Sequence, residues 1–402
     1  MFAEPSPKSA ELLQRLRAFF DQHIYPNEER YHREMDDFRR QGSPWQVMPL
    51  IEELKPKARA AGLWNMFLPH PYEGHGGISN LDYAPLCEVM GRVSWSGEVF
   101  NCSAPDTGNM ETLERYATPA QKNQWLKPLL AGEIRSAFLM TEPAVASSDA
   151  TNIQCSIRRD GDHYVINGRK WFSSGAGSPR CKIFIVMGKT DADAPRHAQQ
   201  SMVLVPRDTP GVTVARHLSV FGYDDAPHGH MEVQLDNVRV PVSNLLGEEG
   251  GAFKMAMSKL AEERLSIAVS AIANAERAVQ LAVDYTQERK AFGQAISDFQ
   301  NTRFKIAELH AEVLAKRVFV DRCIALHMEK KLSATDAAAA KMLCTELQCK
   351  AVDECLQFFG GYGYMLEYPI ARMFIDSRIR KIAGGASEIM RDIIARELFA
   401  KK

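Results

Sequence analysis

The sequence predicts an α+β multidomain fold made of three successive blocks. These are an N-terminal helical domain, a middle β-barrel or β-sandwich domain and a C-terminal domain resembling a four-helix bundle. Apolar residues recur at helical spacing up to about residue 135, short β-rich segments follow, and the helical period then returns. Because helices and strands are segregated and do not alternate as βαβ units, we expect domains spanning 1–136, 137–246 and 247–402.

The first block shows three stretches with an apolar helical face. Leu12, Leu16 and Phe19 mark the first stretch, and similar stripes begin at Met48 and Tyr83. Residues 69–77 lie between the last two stripes and are rich in Pro and Gly, which predicts a loop between helices.

The middle block contains short segments of β-branched and aromatic residues separated by turn residues. Asp160-Gly161-Asp162 and Asn167-Gly168 predict two of the turns. Regularly spaced short strands are typical of a small barrel or sandwich. The predicted strands lie at 153–157, 164–166, 183–187, 202–205, 212–215 and 231–240.

The last block has the 3.6-residue period in long stretches, which predicts a helical bundle. The predicted helices span 252–287, 297–328, 333–358, 369–380 and 386–400.

Composition excludes several classes of protein. Hydrophobic residues make up 45% and charged residues 25% of the chain, as in soluble globular proteins. The net charge of −1 gives no field that would favour nucleic acid or an anionic membrane. No apolar run has the length of a membrane span, and the N-terminus lacks the features of a signal peptide. We therefore expect a cytoplasmic protein with reduced cysteines.

No metal site is expected. His228 and His230 are two residues apart near a strand but lack a further convincing ligand, so an exposed loop is predicted there. A Gly-x-Gly-x-x-Gly motif after a strand is also absent, which gives no support for a Rossmann nicotinamide site.

Two segments of the middle block suit a flat polar heterocycle. The first, 138–150, reads as a strand followed by a loop that offers backbone amides and hydroxyl groups. The second, 167–175, reads as a turn that leads into a strand containing Trp171 and Ser173. Thr141, Ser147 and Ser173 can donate hydrogen bonds, and Trp171 can form an aromatic wall.

These segments resemble the flavin-binding middle domain of the acyl-CoA dehydrogenase family, and the resemblance extends over nearly the whole chain. It implies FAD as cofactor, with Thr141 near its redox edge and Ser147 also close to the substrate. Residues 141–149 are one residue longer than the usual family motif, so Ser147 and Ser148 remain alternatives for one contact. The residues implied to line the flavin are Phe138, Met140, Thr141, Ser147, Trp171 and Ser173.

Two segments of the last block resemble parts of the family's cofactor site that reach a neighbouring subunit. The resemblance therefore implies a homo-oligomer, either a dimer or a tetramer. A guanidinium suits the cofactor's pyrophosphate, and the glycines after 357 permit close backbone approach. The residues implied to contact the cofactor here, together with a position near the C-terminus, are Arg289, Phe292, Gln300, Gln357, Gly361 and Glu388.

The family reaction needs a carboxylate base, and its usual position near the C-terminus is occupied by Gly384. Enzymes of the isovaleryl-CoA and long-chain type carry the base on another helix, and Glu262-Glu263-Arg264-Leu265 matches the isovaleryl-CoA motif. The resemblance implies Glu263 as the base and Arg264 as a contact for the thioester. Glu263 shares a helical face with Ala256, Leu260 and Ile267, so we expect a desolvated carboxylate with a raised pKa.

The resemblance thus implies FAD-dependent dehydrogenation of an acyl-CoA thioester to the trans-2-enoyl-CoA. The resemblance implies an electron-transfer flavoprotein as the acceptor. Two alternatives stay open: an oxidase-type relative that passes electrons to oxygen, and a non-catalytic subunit that binds flavin or acyl-CoA. Chain length and branching of the acyl group do not follow from the sequence.

Overall fold

Helices occupy both ends of the chain and strands its middle in the computed structural model, which describes residues 6–400. This order confirms the predicted α+β class, with an N-terminal helical domain, a middle β-sheet and a C-terminal helical domain.

The N-terminal helices begin at residues that can satisfy free backbone N–H groups. Ser79 Oγ accepts a hydrogen bond from Asp82 N at 3.1 Å, and Thr118 with Gln121 forms a capping box. The predicted loop at 69–77 separates two helices. The helices are α1 (Pro7–Phe19), α2 (Glu28–Arg40), α3 (Pro49–Ala60), α4 (Asn80–Met90), α5 (Ser96–Val99), α6 (Asp106–Tyr116), α7 (Pro119–Gln121) and α8 (Lys127–Leu130).

The middle block forms one eight-stranded sheet with the order β6-β7-β3-β2-β4-β5-β8, and β1 pairs with β4 in parallel. β4 is almost entirely buried, and the turn predicted at 160–162 connects β2 to β3. The strands are β1 (Arg135–Leu139), β2 (Ser156–Asp160), β3 (His163–Ser174), β4 (Cys181–Lys189), β5 (Gln200–Pro206), β6 (Val212–His217), β7 (His230–Pro241) and β8 (Leu245–Leu246).

The turn predicted at Asn167-Gly168 is wrong, because both residues lie inside β3. The register between β3 and β7 shifts between Ile166 and Gly168, as in a β-bulge. A Cβ on Gly168 would lie 2.7 Å from the Cβ of Cys155, so the glycine permits close approach of two chain segments.

The C-terminal block is helical, but the single helix predicted over 252–287 is wrong. The helix ends at Met257 and a new one begins at Leu260, with Ser258 Oγ donating to the Met255 carbonyl at 2.7 Å. The elements are α9 (Ala252–Met257), α10 (Leu260–Glu288), β9 (Lys290–Ala291), β10 (Gln294–Ala295), α11 (Gln300–Met328), α12 (Ala334–Phe358), α13 (Pro369–Ser377) and α14 (Ser387–Leu398).

Packing groups the described residues into two compact units that do not follow chain order. One comprises residues 6–18, 79–94 and 259–400; in it, α4 packs against the core formed by α10, α11 and α12. The other comprises residues 19–78 and 95–258 and contains the eight-stranded sheet. Local periodicity does not reveal the pairing of α4 with the C-terminal helices, because it is a long-range contact.

Among the described residues, no helix combines the length and apolar character needed to cross a bilayer.

Candidate functional site

The two segments predicted to hold a flat cofactor lie side by side in the β-sheet unit. Trp171 N donates a hydrogen bond to the Thr141 carbonyl at 3.0 Å. The preceding residue, Lys170, donates through Nζ to the Met140 carbonyl at 2.9 Å. The segment after β1 is thereby joined to the end of β3 at the residues that the sequence indicated.

A buried ion pair fixes this junction. Lys170 is fully buried and lies 2.8 Å from Glu142 Oε1, and its ammonium also donates to the Met187 carbonyl at 2.7 Å. Glu142 accepts two further bonds, from the backbone N–H groups of Gln154 and Cys155. The predicted strand at 153–157 therefore starts late. The carboxylate of Glu142 accepts backbone N–H groups that strand pairing would otherwise use, and β2 begins only at Ser156.

Two buried polar atoms at the junction have no partner within the described chain: the indole nitrogen of Trp171 and the hydroxyl of Ser173. Orphaned buried donors cost about 1–3 kcal/mol each unless a ligand satisfies them. They lie two residues apart along β3, and Phe172 between them has a positive φ of 48° at the second register shift. Their donor chemistry fits the polar edge of a flavin.

The remaining residues predicted to line a flavin are half-buried: Phe138, Met140, Thr141 and Ser147. Ser147 Oγ accepts a hydrogen bond from Glu142 N at 3.1 Å, which leaves its own proton available to a ligand. Ser148 is exposed, which favours Ser147 of the two serines considered.

The prediction of an exposed loop at His228-Gly229-His230 is wrong for His230, the first residue of β7. Its side chain is 19% exposed and lies between Ser174 Oγ, 2.8 Å from Nδ1, and Asp225 Oδ2, 3.3 Å from Nε2. Ser174 and His230 are partners in the β3–β7 register. This bond holds the end of β3 next to Trp171 and Ser173. Burial lowers the pKa of His228 to about 4.

In the helical unit, the structure brings together the two segments predicted to hold the rest of the cofactor. The guanidinium of Arg289 lies 5.3 Å from the ring centre of Tyr362, beside Gly361. Phe292 is 97% exposed at the tip of the β9–β10 hairpin. Gln300, Gln357 and Gly361 are also exposed, as is Glu388, which lies 3.5 Å from Arg391.

Glu263 is exposed in the single chain, so the burial expected for this carboxylate is not observed. The expectation assumed one helix from 252 onward, but α10 begins only at Leu260 and places Glu263 in its first turn. The neighbouring Glu262 is half-buried and accepts a hydrogen bond from Asn80 Nδ2 at 2.9 Å. The two acidic residues therefore differ in exposure, and Glu262 is bonded to α4.

Arg264 and Gly384 lie close to the same part of α10. Arg264 is 7% exposed, and its Nε has no partner within the described chain. Burial lowers the pKa of Arg264, and the charge of Glu263 opposes that change. A Cβ on Gly384 would lie 2.5 Å from Cδ1 of Ile267, one helical turn after Glu263. The turn that carries Gly384 therefore contacts the helical face that carries Glu263.

The sequence analysis missed Lys341, a fully buried residue whose Nζ donates to the Gly385 carbonyl at 2.6 Å. A signal was present, because Lys341 lies in a stripe of α12 whose other members are apolar or small. Ala337, Cys344 and Thr345 are the neighbours at i−4, i+3 and i+4, and all are buried. A lysine on the buried face of a helix is rare.

Comparison with known proteins supplies three family models that together match most of the chain. They are described as the N-terminal, middle and C-terminal domains of acyl-CoA dehydrogenase, and they match residues 6–133, 137–238 and 250–399. A protein of Mycobacterium tuberculosis named "Probable acyl-CoA dehydrogenase FadE2" is 44% identical over 99% of this chain and 97% of its own length.

Solved structures agree with these matches. An acyl-CoA dehydrogenase candidate from Mycobacterium abscessus is 41% identical, with a TM-score of 0.95 and 99% of each chain covered. A glutaryl-CoA dehydrogenase from Mycobacterium smegmatis, solved in complex with FADH2, is 25% identical with a TM-score of 0.82, covering 98% of this chain and 95% of that one. Some curated relatives are much longer: the chain spans 49% of one from Arabidopsis thaliana and 37% of one from Mus musculus.

Proposed function

Because the chain belongs to the acyl-CoA dehydrogenase family, we propose that it binds FAD and converts an acyl-CoA thioester into the trans-2-enoyl-CoA. The observation that carries the proposal is the junction of Thr141 with Trp171, where two buried donors have no partner among residues 6–400. A structural relative solved with FADH2 supports the choice of cofactor.

The β-sheet unit would hold the flavin. Trp171 provides an aromatic wall, and the hydroxyls of Thr141 and Ser173 offer donors to the polar edge. Ser147 would contact cofactor or substrate. Flavin bound here supplies a hydride acceptor for the β-carbon of the substrate. The ion pair of Lys170 with Glu142 would hold the Trp171 ring and the hydroxyl donors in position while the ligand binds.

Glu263 would remove the proton from the carbon next to the thioester carbonyl. Gly384, at the family's usual position for the base, has no side chain, and it contacts Ile267 on the same face of α10 as Glu263. A base of this kind works best when its pKa lies near neutrality. An apolar acyl chain covering the first turn of α10 would displace water from Glu263 and raise the pKa of its carboxyl. Arg264 would contact the thioester.

The Arg289–Tyr362 contact and the exposed residues around it would hold the pyrophosphate and adenine side of a cofactor bound mainly by a neighbouring subunit. This role implies a homodimer or homotetramer. The residues involved are Arg289, Phe292, Gln300, Gln357, Gly361 and Glu388. An electron-transfer flavoprotein would then reoxidise the enzyme, and we expect both proteins in the cytoplasm.

The test replaces Glu263 with Gln and measures flavin bleaching by a panel of acyl-CoA substrates from short to long and branched. We expect the bleaching rate to fall by about 10²–10⁴-fold, the usual contribution of a positioned base. Glu262→Gln is the matched control, because it removes the neighbouring carboxylate from the same helical turn. Equal losses in both variants, or none in Glu263→Gln, would contradict the role of Glu263.

Experiments on the same purified protein can distinguish two alternative functions. Turnover in oxygen alone would indicate an oxidase-type relative, whereas turnover only with a flavoprotein or artificial acceptor supports a dehydrogenase. The absence of a side chain at Gly384 motivates a non-catalytic subunit that binds flavin or acyl-CoA. A flavin that no acyl-CoA of the panel can bleach would favour that alternative.

A further inference from the structure

A buried lysine anchors the turn that contains Gly384. Lys341 lies on α12 with no exposed surface, and its ammonium donates to the carbonyl of Gly385 at 2.6 Å. The ion pairs of residues 6–400 do not include Lys341, in contrast to Lys170, which lies 2.8 Å from Glu142. Its ammonium is therefore buried on a carbonyl, and the described residues pair it with none of the carboxylates that accompany most buried charges.

Arg264 places a second cation beside Lys341. Arg264 is 7% exposed, and its Nη2 would lie 3.9 Å from a Cβ on Gly385. Burial is the main cause that lowers the pKa of Lys341, to about 8; the charge of Arg264 on α10 acts in the same direction and Glu388 on α14 opposes it. Two buried cations in one place oppose folding, so their arrangement is not explained by stability.

The backbone of the anchored turn strongly favours glycine at two successive positions. Gly384 and Gly385 have φ values of +66° and +98°, in the region that other residues rarely adopt. A Cβ on either residue would lie within 2.6 Å of a neighbouring side chain, Ile267 in one case and Met390 in the other. The turn therefore packs directly on the face of α10 that carries Ile267 and, one turn earlier, Glu263.

From this geometry we propose that Lys341 is a positioning residue for the reaction: by holding the Gly385 carbonyl beside Arg264, it fixes the turn 382–386 against the face of α10 that carries Glu263. The inference rests on the proposed function, since it takes Glu263 as the base. Lys341 does not touch the reacting atoms. It fixes the position of the turn relative to the carboxylate of Glu263. It thereby also fixes the position of an acyl thioester that lies between the turn and the base.

The experiment compares Lys341→Met and Lys341→Arg in the FAD-loaded protein. In Lys341→Met we expect the rate of flavin bleaching at saturating acyl-CoA to fall about 10- to 100-fold, because a base misplaced by about 1 Å loses about that much. The substrate concentration at half-maximal rate should change far less. Lys341→Arg keeps a charged donor, so it should restore most of the rate. Lys305→Met removes a half-buried lysine that is paired with Glu354 and serves as control.

The pH profile provides a readout that loss of packing would not change. The wild-type bleaching rate should decline as the pH rises through about 8, where Lys341 loses its proton. Lys341→Arg should retain its rate over the same range, because a guanidinium stays charged. This comparison remains informative even if Lys341→Met folds poorly.

Wild-type rates in Lys341→Met, or the same decline above pH 8 in Lys341→Arg, would overturn the inference. Failure of the proposed function looks different. If Glu263→Gln bleaches its flavin at the wild-type rate, the assignment of the base is wrong; if Glu263→Gln is slow while Lys341→Met is fast, only the positioning role is lost.

Discussion

At the scale of single residues, two fully buried lysines illustrate opposite solutions to the burial of a charge. Lys170 is paired with Glu142 and two backbone carbonyls, whereas Lys341 has one carbonyl and a neighbouring arginine. The first arrangement satisfies a charge, and the second leaves it only partly compensated. Their substitutions should therefore have different consequences.

Replacing Lys170 with Met should lower the free energy of unfolding by about 3–5 kcal/mol, because Glu142 would remain as a buried carboxylate without its cation. The same variant should lose flavin during purification, since Lys170 joins the segments of Thr141 and Trp171. Denaturant unfolding and the flavin-to-protein absorbance ratio measure both effects. Lys182→Met changes an exposed lysine on β4 and should leave both unchanged.

The stability contribution of Lys341 should depend on pH in a direction set by its pKa. The folded-state pKa, about 8, lies below the unfolded value near 10.4, so the unfolded chain binds more protons between these values. Wild-type stability should therefore rise relative to Lys341→Met from about pH 8 to about pH 10, by up to about 3 kcal/mol. Parallel unfolding curves of the two proteins at several pH values measure the difference, and a constant gap would contradict it.

Residue-scale prediction from sequence used local signals and could not anticipate contacts with distant partners. Thr141 and Trp171 each stand in a motif with their neighbours, and the structure places the two residues side by side; their contact with a flavin stays a prediction. The carboxylate of Glu263 proved exposed because the helical face assigned to it presumed an unbroken helix. His230 is bonded to Ser174, which is 56 residues away in the chain, so no local pattern could indicate the contact.

At the scale of elements, the turn 382–386 and helix α10 fit together at the point where a family base would normally stand. The fit depends on the absence of a side chain at Gly384. The sequence revealed that absence but not its geometrical consequence, because the contact with Ile267 joins two elements more than a hundred residues apart.

Moving the base from α10 to the turn tests this fit. We expect the double variant Glu263→Gly with Gly384→Glu to stay as slow as Glu263→Gly alone. A side chain at φ +66° costs about 1–3 kcal/mol, and it would meet Ile267 at 2.5 Å. Adding Ile267→Ala should recover about tenfold in flavin bleaching rate, within the range of a less well positioned base. Full activity of the double variant would show that the turn adapts freely.

At the scale of the whole molecule, the three-block order followed from changes in hydrophobic period, but the packing units did not. α4 belongs to the first block in sequence and packs with α10 and α11 in space. Such long-range pairing leaves no trace in a window of 11–18 residues, which is the range over which periodicity operates.

Exposed apolar side chains of the helical unit fit the homo-oligomer proposed above. On α11, Phe304, Leu314 and Val318 are 57%, 49% and 51% exposed. At the β9–β10 hairpin, Phe292 is 97% exposed with a positive φ, held at a tip where its own chain offers almost no cover. Large exposed apolar patches on a protein surface commonly mark sites of interaction with another molecule.

Replacing Phe292 with Ser should therefore weaken self-association and flavin retention together. Burying a phenylalanine contributes about 1.5–3 kcal/mol, and a two-fold interface contains each contact twice, so the dissociation constant should rise about 100-fold or more. Light scattering across a dilution series and the flavin content of each fraction measure the two effects. Phe221→Ser, at a residue of the β-sheet unit that is 70% exposed, is the control. If Phe292→Ser loses flavin while the mass of the oligomer stays unchanged, Phe292 contacts the cofactor directly. If neither the flavin content nor the mass changes, the hairpin does not contribute to self-association, and the proposed contribution of a neighbouring subunit is wrong.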